Sequence, residues 1–294
     1  IMRGKSLTLT ELRTEYEREV VEPVSLTNQQ RPLSFWEKLW DCGAVRKLLI
    51  LILLAIIWQV YATRLNNPLM LPTFFDMSVA LSQMFLSGEL LAKIDASLRV
   101  LLLGYGGGIA VATILTILAI RSRLGTDLLE TLTAMFNPLP AIALLPLALL
   151  WFGLGLPSIV FVLIHAVTWP IALNVYSGFT GVGSTLRMVG QNYGLSGLGF
   201  VGRILIPAAF PQILTGLKVG WAFAWRTLIA SELVFGVNSG SGGLGWFIFE
   251  KKNQLEIASV FAGLFVVIVI GIIVENGLFK LIEDRTITRW GMKS

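Results

Sequence analysis

The 294-residue sequence predicts an all-α membrane protein of six transmembrane helices with both termini in the cytoplasm. Three observations carry this reading. First, 55% of residues are hydrophobic and only 14% are charged, where a soluble domain carries about 25% charged residues. Second, six apolar stretches, at about 47–63, 97–120, 131–152, 157–180, 209–235 and 257–279, approach the roughly 20 residues needed to cross the hydrocarbon core. Third, 17 Lys and Arg fall on the sides this topology assigns to the cytoplasm and five on the opposite side, with Arg226 left inside a span. The net charge of +5 is therefore an orientation signal and does not point to a nucleic-acid partner. Cys42 is the one cysteine, which excludes an internal disulfide framework, and a single histidine, His165, argues against a His-ligated metal site.

Residues 1–44 read as a cytoplasmic tail followed by an amphipathic helix lying on the membrane. The tail, 1–33, is a charge-rich solvated run, and the polar first 40 residues predict no cleavable signal peptide. Ser34 and Glu37 spell a capping box, and Phe35, Trp36, Leu39 and Trp40 gather on one side of the helix that follows, in contact with lipid. Residues 45–294 form the transmembrane domain. In its second span, Gly104 and Gly108 have the small-residue spacing that lets helix backbones approach closely. Pro138, Pro140 and Pro146 require the third span to kink or partly unwind.

Spans four and five hold the polar residues of interest. A charge at membrane depth is costly and faces a bundle interior or a water-filled cavity. Arg226 and Glu232, six residues apart in span five, differ by about 240° around a helix and so do not pair on one face. The planar guanidinium of Arg226 suits an oxyanion, with pairing to another helix or snorkelling as the alternative. His165 and Asn174 in span four either line a pathway or serve packing. Thr227 and Ser231 are expected to be satisfied within their own helix. None of these forms a nucleophile–base constellation.

The only long internal cytoplasmic segment runs from about 181 to 208. Small, apolar and polar residues alternate from Gly183 to Ser196, which predicts a short surface helix. Gly194 supplies its stop, and Ile206-Pro207 opens the next span, where proline is tolerated in the first turn. This is a structured docking surface.

That segment resembles the signature loop of binding-protein-dependent ABC importer permeases: Glu-Ala-Ala, three residues, Gly, nine residues, then Ile-x-Leu-Pro. Here Gly194 and Ile204-Leu205-Ile206-Pro207 hold the spacing, while Met188-Val189-Gly190 stand at the Glu-Ala-Ala positions, so the acidic residue is absent. Further blocks resemble the family in order: Leu69-Met70-Leu71-Pro72-Thr73, the proline-rich run 138–146, Leu150-Trp151-Phe152-Gly153-Leu154-Gly155, the run 207–217, Ala230-Ser231-Glu232-Leu233, and Gly242-Gly243-Leu244-Gly245. The resemblance covers about 45–290 and is nearest to the nitrate, sulfonate and taurine importers.

It implies a type I importer permease in the inner membrane, passing a small anionic solute such as nitrate, a sulfonate, taurine or a related organic acid. Its implied partners are a second permease copy in a homodimer, two cytoplasmic ATPase subunits and a periplasmic substrate-binding protein. Residues 186–196 would be the coupling helix, with Arg187, Met188, Val189, Gly190, Gln191, Gly194, Ile206 and Pro207 at the ATPase-coupling surface. Arg226, Glu232, His165 and Asn174 would be candidates for the substrate pathway. The sequence has no phosphate-binding loop, so the chain is expected to bind no cofactor and to catalyse nothing itself, with ATP and Mg on the ATPase partners. An ATP-independent secondary transporter or channel is the alternative. An intramembrane enzyme has no His, Cys, Asp and Glu cluster to support it.

Overall fold

The structure, a computed structural model, describes residue 41, residues 43–235 and residues 242–291. The expected tail and the surface helix opening at Ser34 lie outside the described residues. Those described form helices and turns, with no strand among them.

The chain forms two compact units, residues 1–54 and 55–294. In the first, the described structure is the start of α1 (Gly43–Leu65), wholly apolar from Leu48 to Leu54. In the second, the indole of Trp58 donates to the Pro72 carbonyl at 3.0 Å and meets the Phe74 ring edge-on at 5.6 Å. This contact seats the start of α2 (Phe74–Leu86), whose first turn is closed by a capping box. Thr73 Oγ1 accepts from the Asp76 N–H at 3.1 Å, and the Asp76 carboxylate accepts from the Thr73 N–H at 3.3 Å.

The following elements are α3 (Glu89–Arg121), α4 (Arg123–Phe136), α5 (Leu145–Phe152), α6 (Leu156–Thr180), α7 (Ser184–Asn192), α8 (Ile206–Phe235), α9 (Leu244–Asn253) and α10 (Ile257–Ile272). Five of the described helical stretches are long and apolar enough to cross a membrane: α1, α3, α6, Val201–Val234 and Ile257–Thr288. The pair Arg123–Phe136 and Ala141–Phe152, bent by 87°, supplies a sixth when counted as one span. The bend falls at Asn137–Pro140, where the prolines lack N–H groups and their rings clash with a continuing helix, so the expected interruption is present. Helix α3 begins eight residues before the apolar stretch that predicts it, because polar turns such as Asp95–Arg99, paired at 2.8 Å, continue the backbone ladder beyond the apolar run.

Helix α6 is the centre of this unit and the most buried of the spanning helices. A Cβ added at Gly104 would sit 2.4 Å from Leu163 Cβ, and one at Gly108 would sit 2.5 Å from Val167 Cβ. The two glycines of α3 thus receive two side chains of α6 that share their four-residue spacing, as the small-residue pattern predicts. Further along the same face of α6, Gly216 and Gly220 of α8 lie against Asn174 and Ile171. Tyr105 joins α3 to α8 by donating to the Leu217 carbonyl at 2.9 Å. The C-terminal segment is held to α8 by the Lys218–Glu283 ion pair at 2.5 Å and by Phe210 against Trp290 at 5.5 Å. Between α9 and α10, Lys251 pairs with Glu256 at 3.0 Å.

Candidate functional site

The break between α4 and α5 folds over a cavity of about 450 Å³. Residues Phe136–Ile142 form one wall. His165, Ala166, Trp169 and Pro170 of α6 form a second, and Phe223, Arg226, Thr227 and Ala230 of α8 form the third. The α8 residues follow the 3–4 spacing of a single helix face, which is why they share the cavity. Irregular backbone is stable at membrane depth where it is enclosed by protein or lines a cavity, and the Asn137–Pro140 turn does so here.

The cavity is aromatic and carries one charge. Phe136 stacks on Trp169 at 5.4 Å with the planes 15° apart, and His165 stands edge-on to both rings at 6.0 and 5.8 Å. Arg226 is the only charged residue in the lining, is exposed, and has no ion-pair partner among the described residues. Both ring nitrogens of His165 and the Trp169 indole nitrogen are enclosed in the wall without a hydrogen-bond partner among the described residues. Buried polar groups are normally partnered, and these three belong to side chains that wall one cavity.

The structure therefore brings Arg226 and His165 together, and it places Glu232 and Asn174 elsewhere. Asn174 Nδ2 donates to the Pro170 carbonyl of its own helix at 2.7 Å, and its Cβ side packs against Gly216. Glu232 is buried on the far side of α8. Ser97 Oγ lies 2.8 Å from both of its carboxylate oxygens, and the Gly245 N–H donates to Oε2 at 2.8 Å. The Leu244 N–H donates to Ser97 Oγ at 2.8 Å. A carboxylate thus closes the N-terminus of α9 from another helix, where the helix dipole favours negative charge. The approach is so close that a Cβ at Gly243 would fall 2.1 Å from Glu232 Oε1. Ser231, expected to be satisfied within its helix, instead has a buried hydroxyl with no partner among the described residues. The role of Asn137–Pro140 as a cavity wall escaped the sequence reading, although the proline cluster marked the break.

The segment between α6 and α8 is pinned at both ends. Arg187 donates from Nη2 to the Phe179 carbonyl at 2.6 Å and from Nε to the Val182 carbonyl at 3.1 Å, closing the C-terminal end of α6. Gly190 is buried, and a Cβ there would meet the Phe200 ring at 2.6 Å. Gly194, at φ +69°, ends α7: its N–H donates to Gln191, and the Leu195 N–H reaches back to Gly190 at 3.0 Å. Pro207 stands in the first turn of α8, as its fixed φ allows. On the outer side of α7, Leu186, Met188, Val189, Gln191 and Tyr193 remain exposed, Tyr193 to 81%.

Comparison with known proteins agrees with this layout. Residues 104–288 match the family described as binding-protein-dependent transport system inner membrane component. The chain is 32% identical over 245 residues to a putative ABC transporter permease protein of Methanocaldococcus jannaschii, covering 82% of this chain and 90% of that one. It is 29% identical over 244 residues to the taurine transport system permease protein of Escherichia coli, covering 81% and 86%. It is 27% identical over 261 residues to the nitrate import permease protein of Synechocystis, covering 84% and 90%. The family match takes in all three walls of the cavity and all of α7. The chain therefore belongs to the inner-membrane components of binding-protein-dependent ABC transporters and is a multi-pass permease of the inner membrane.

Proposed function

We propose that this permease is the membrane pathway of an ATP-driven importer for a small anionic solute, with both chain termini in the cytoplasm. A periplasmic binding protein delivers the solute, two copies of the chain form the pathway, and two cytoplasmic ATPase subunits supply ATP hydrolysis with Mg. The transport of nitrate named for one of its relatives supports the anionic class. The observation that carries the reading is α7. It exposes Leu186, Met188 and Val189, with Tyr193 just beyond its end, while Arg187 bonds to the end of α6 and Gly190 packs against Phe200 and Ile204 in the run that leads into α8. An apolar face outside the spanning helices is a partner surface. A push on that face is delivered to the two helices that wall the cavity.

The ATPase acts on α7, and α7 moves α6 and α8, opening the cavity to alternate sides. The test is to purify the permease with its ATPase in mild detergent and to compare Met188→Asp with the unaltered chain. The expected result is co-elution of the ATPase with the unaltered chain and loss of co-elution and uptake in the variant. Uptake by the permease alone, without ATPase or ATP, would establish the secondary-transporter reading instead.

A further inference from the structure

We propose that the cavity walled by Phe136, Trp169 and Arg226 is a selective binding site for an organic monoanion with an apolar body. This rests on the transport reading above and names the class of solute. Arg226 is the sole charged residue in the lining, so the site balances one negative charge. Guanidinium offers two parallel donors to a sulfonate or carboxylate head. The lining holds no carboxylate for the ammonium of a zwitterion, and Glu232, on the far side of α8, is engaged by Ser97 and the α9 N-terminus.

Size and wall chemistry separate an organic anion from a bare inorganic one. The cavity, about 450 Å³, falls in the range of sites that enclose small organic molecules, about 300–1,000 Å³. The stacked Phe136 and Trp169 rings, Pro138, Pro140 and Ile142 give a body of several methylene groups an apolar surface to cover. Nitrate uses only the charge and leaves that surface facing water.

The test is equilibrium binding to the detergent-solubilised permease–ATPase complex, with the binding protein left out so that its own selectivity does not contribute. The probes are butanesulfonate, nitrate and taurine. Butanesulfonate is expected to bind at least about tenfold more tightly than either competitor, a difference of about 1.4 kcal/mol. Arg226→Gln is expected to weaken butanesulfonate by about tenfold or more, and Arg226→Lys by less, because it keeps the charge and loses the fork. Ala230→Phe, which fills the cavity, is expected to reverse the preference for longer alkanesulfonates over methanesulfonate. Equal affinity for the three probes would overturn the proposal, as would unchanged affinity in an Arg226→Gln complex that still co-elutes with its ATPase. Should Arg226→Gln fail to assemble, an Arg226→Lys complex with unaltered affinity, or an Ala230→Phe complex with unaltered chain-length preference, would overturn it equally. Failure of the transport reading shows separately, as uptake without ATPase.

Discussion

Four polar residues in spans four and five look alike in the sequence, and the fold gives them three different surroundings. Membrane depth dictates that each must be satisfied or enclosed, but not by which neighbour. Asn174 turns to its own helix, and Glu232 crosses to Ser97 and to the first turn of α9. His165 and Arg226 are left at the cavity. Helix periodicity separated Arg226 from Glu232, whereas the partners of Glu232 depend on residues 135 positions earlier and 13 later, beyond any local pattern. Glu232→Ala strands the Gly245 N–H and the Ser97 hydroxyl in a buried site. It should lower stability by about 2 kcal/mol, the range for hydrogen bonds to a charged group. Thermal denaturation of the purified variant checks this, and Glu232→Gln should recover part of the loss.

At the scale of elements, the spans were legible because apolar runs of membrane length are unambiguous, while α2 and α9, with 13 and 10 residues, are too short for that criterion. Their signals were local. Thr73 and Asp76 stand in capping-box positions before α2, and Gly242-Gly243 precedes α9. For α7 the stop at Gly194 was readable, since glycine accepts the left-handed conformation that ends the helix. Gly194→Val should cost about 1 kcal/mol of strain at this position. Expression should hold while ATP-driven uptake per permease falls, measured in reconstituted vesicles. The turn from α9 to α10 responds to pH. The Lys251 ammonium bonded to Glu256 holds its carboxyl below the usual carboxylate range. The stabilisation is therefore complete above the ordinary glutamate range and is lost as pH falls through the lowered value. Thermal melts of the unaltered chain and of Glu256→Gln should differ at neutral pH and converge only once the pH has fallen below that lowered value.

For the whole molecule, the distribution of Lys and Arg was the most informative long-range signal, because it acts through the membrane and needs no knowledge of packing. It predicts α7 and both termini on the cytoplasmic face and the α9–α10 turn on the other. Single cysteines at Gln191 and at Lys252, in a chain with Cys42 replaced, should label from the inside and from the outside respectively with a membrane-impermeant maleimide. The reverse pattern would invert the topology. The cavity was the least legible feature, since it needs the Asn137–Pro140 break, α6 and α8 to meet. The Ser97–Glu232–Gly245 cluster also sets an order of biosynthesis. Ser97 leaves the ribosome long before its partners, so α3 enters the bilayer with an unmatched hydroxyl and cannot be sealed until residue 245 has been made. A chain that stops short of α9 would keep the Ser97–Glu232 bond but leave Oε2 of Glu232 without the Gly245 N–H, so the buried carboxylate is fully matched only in a chain that includes α9.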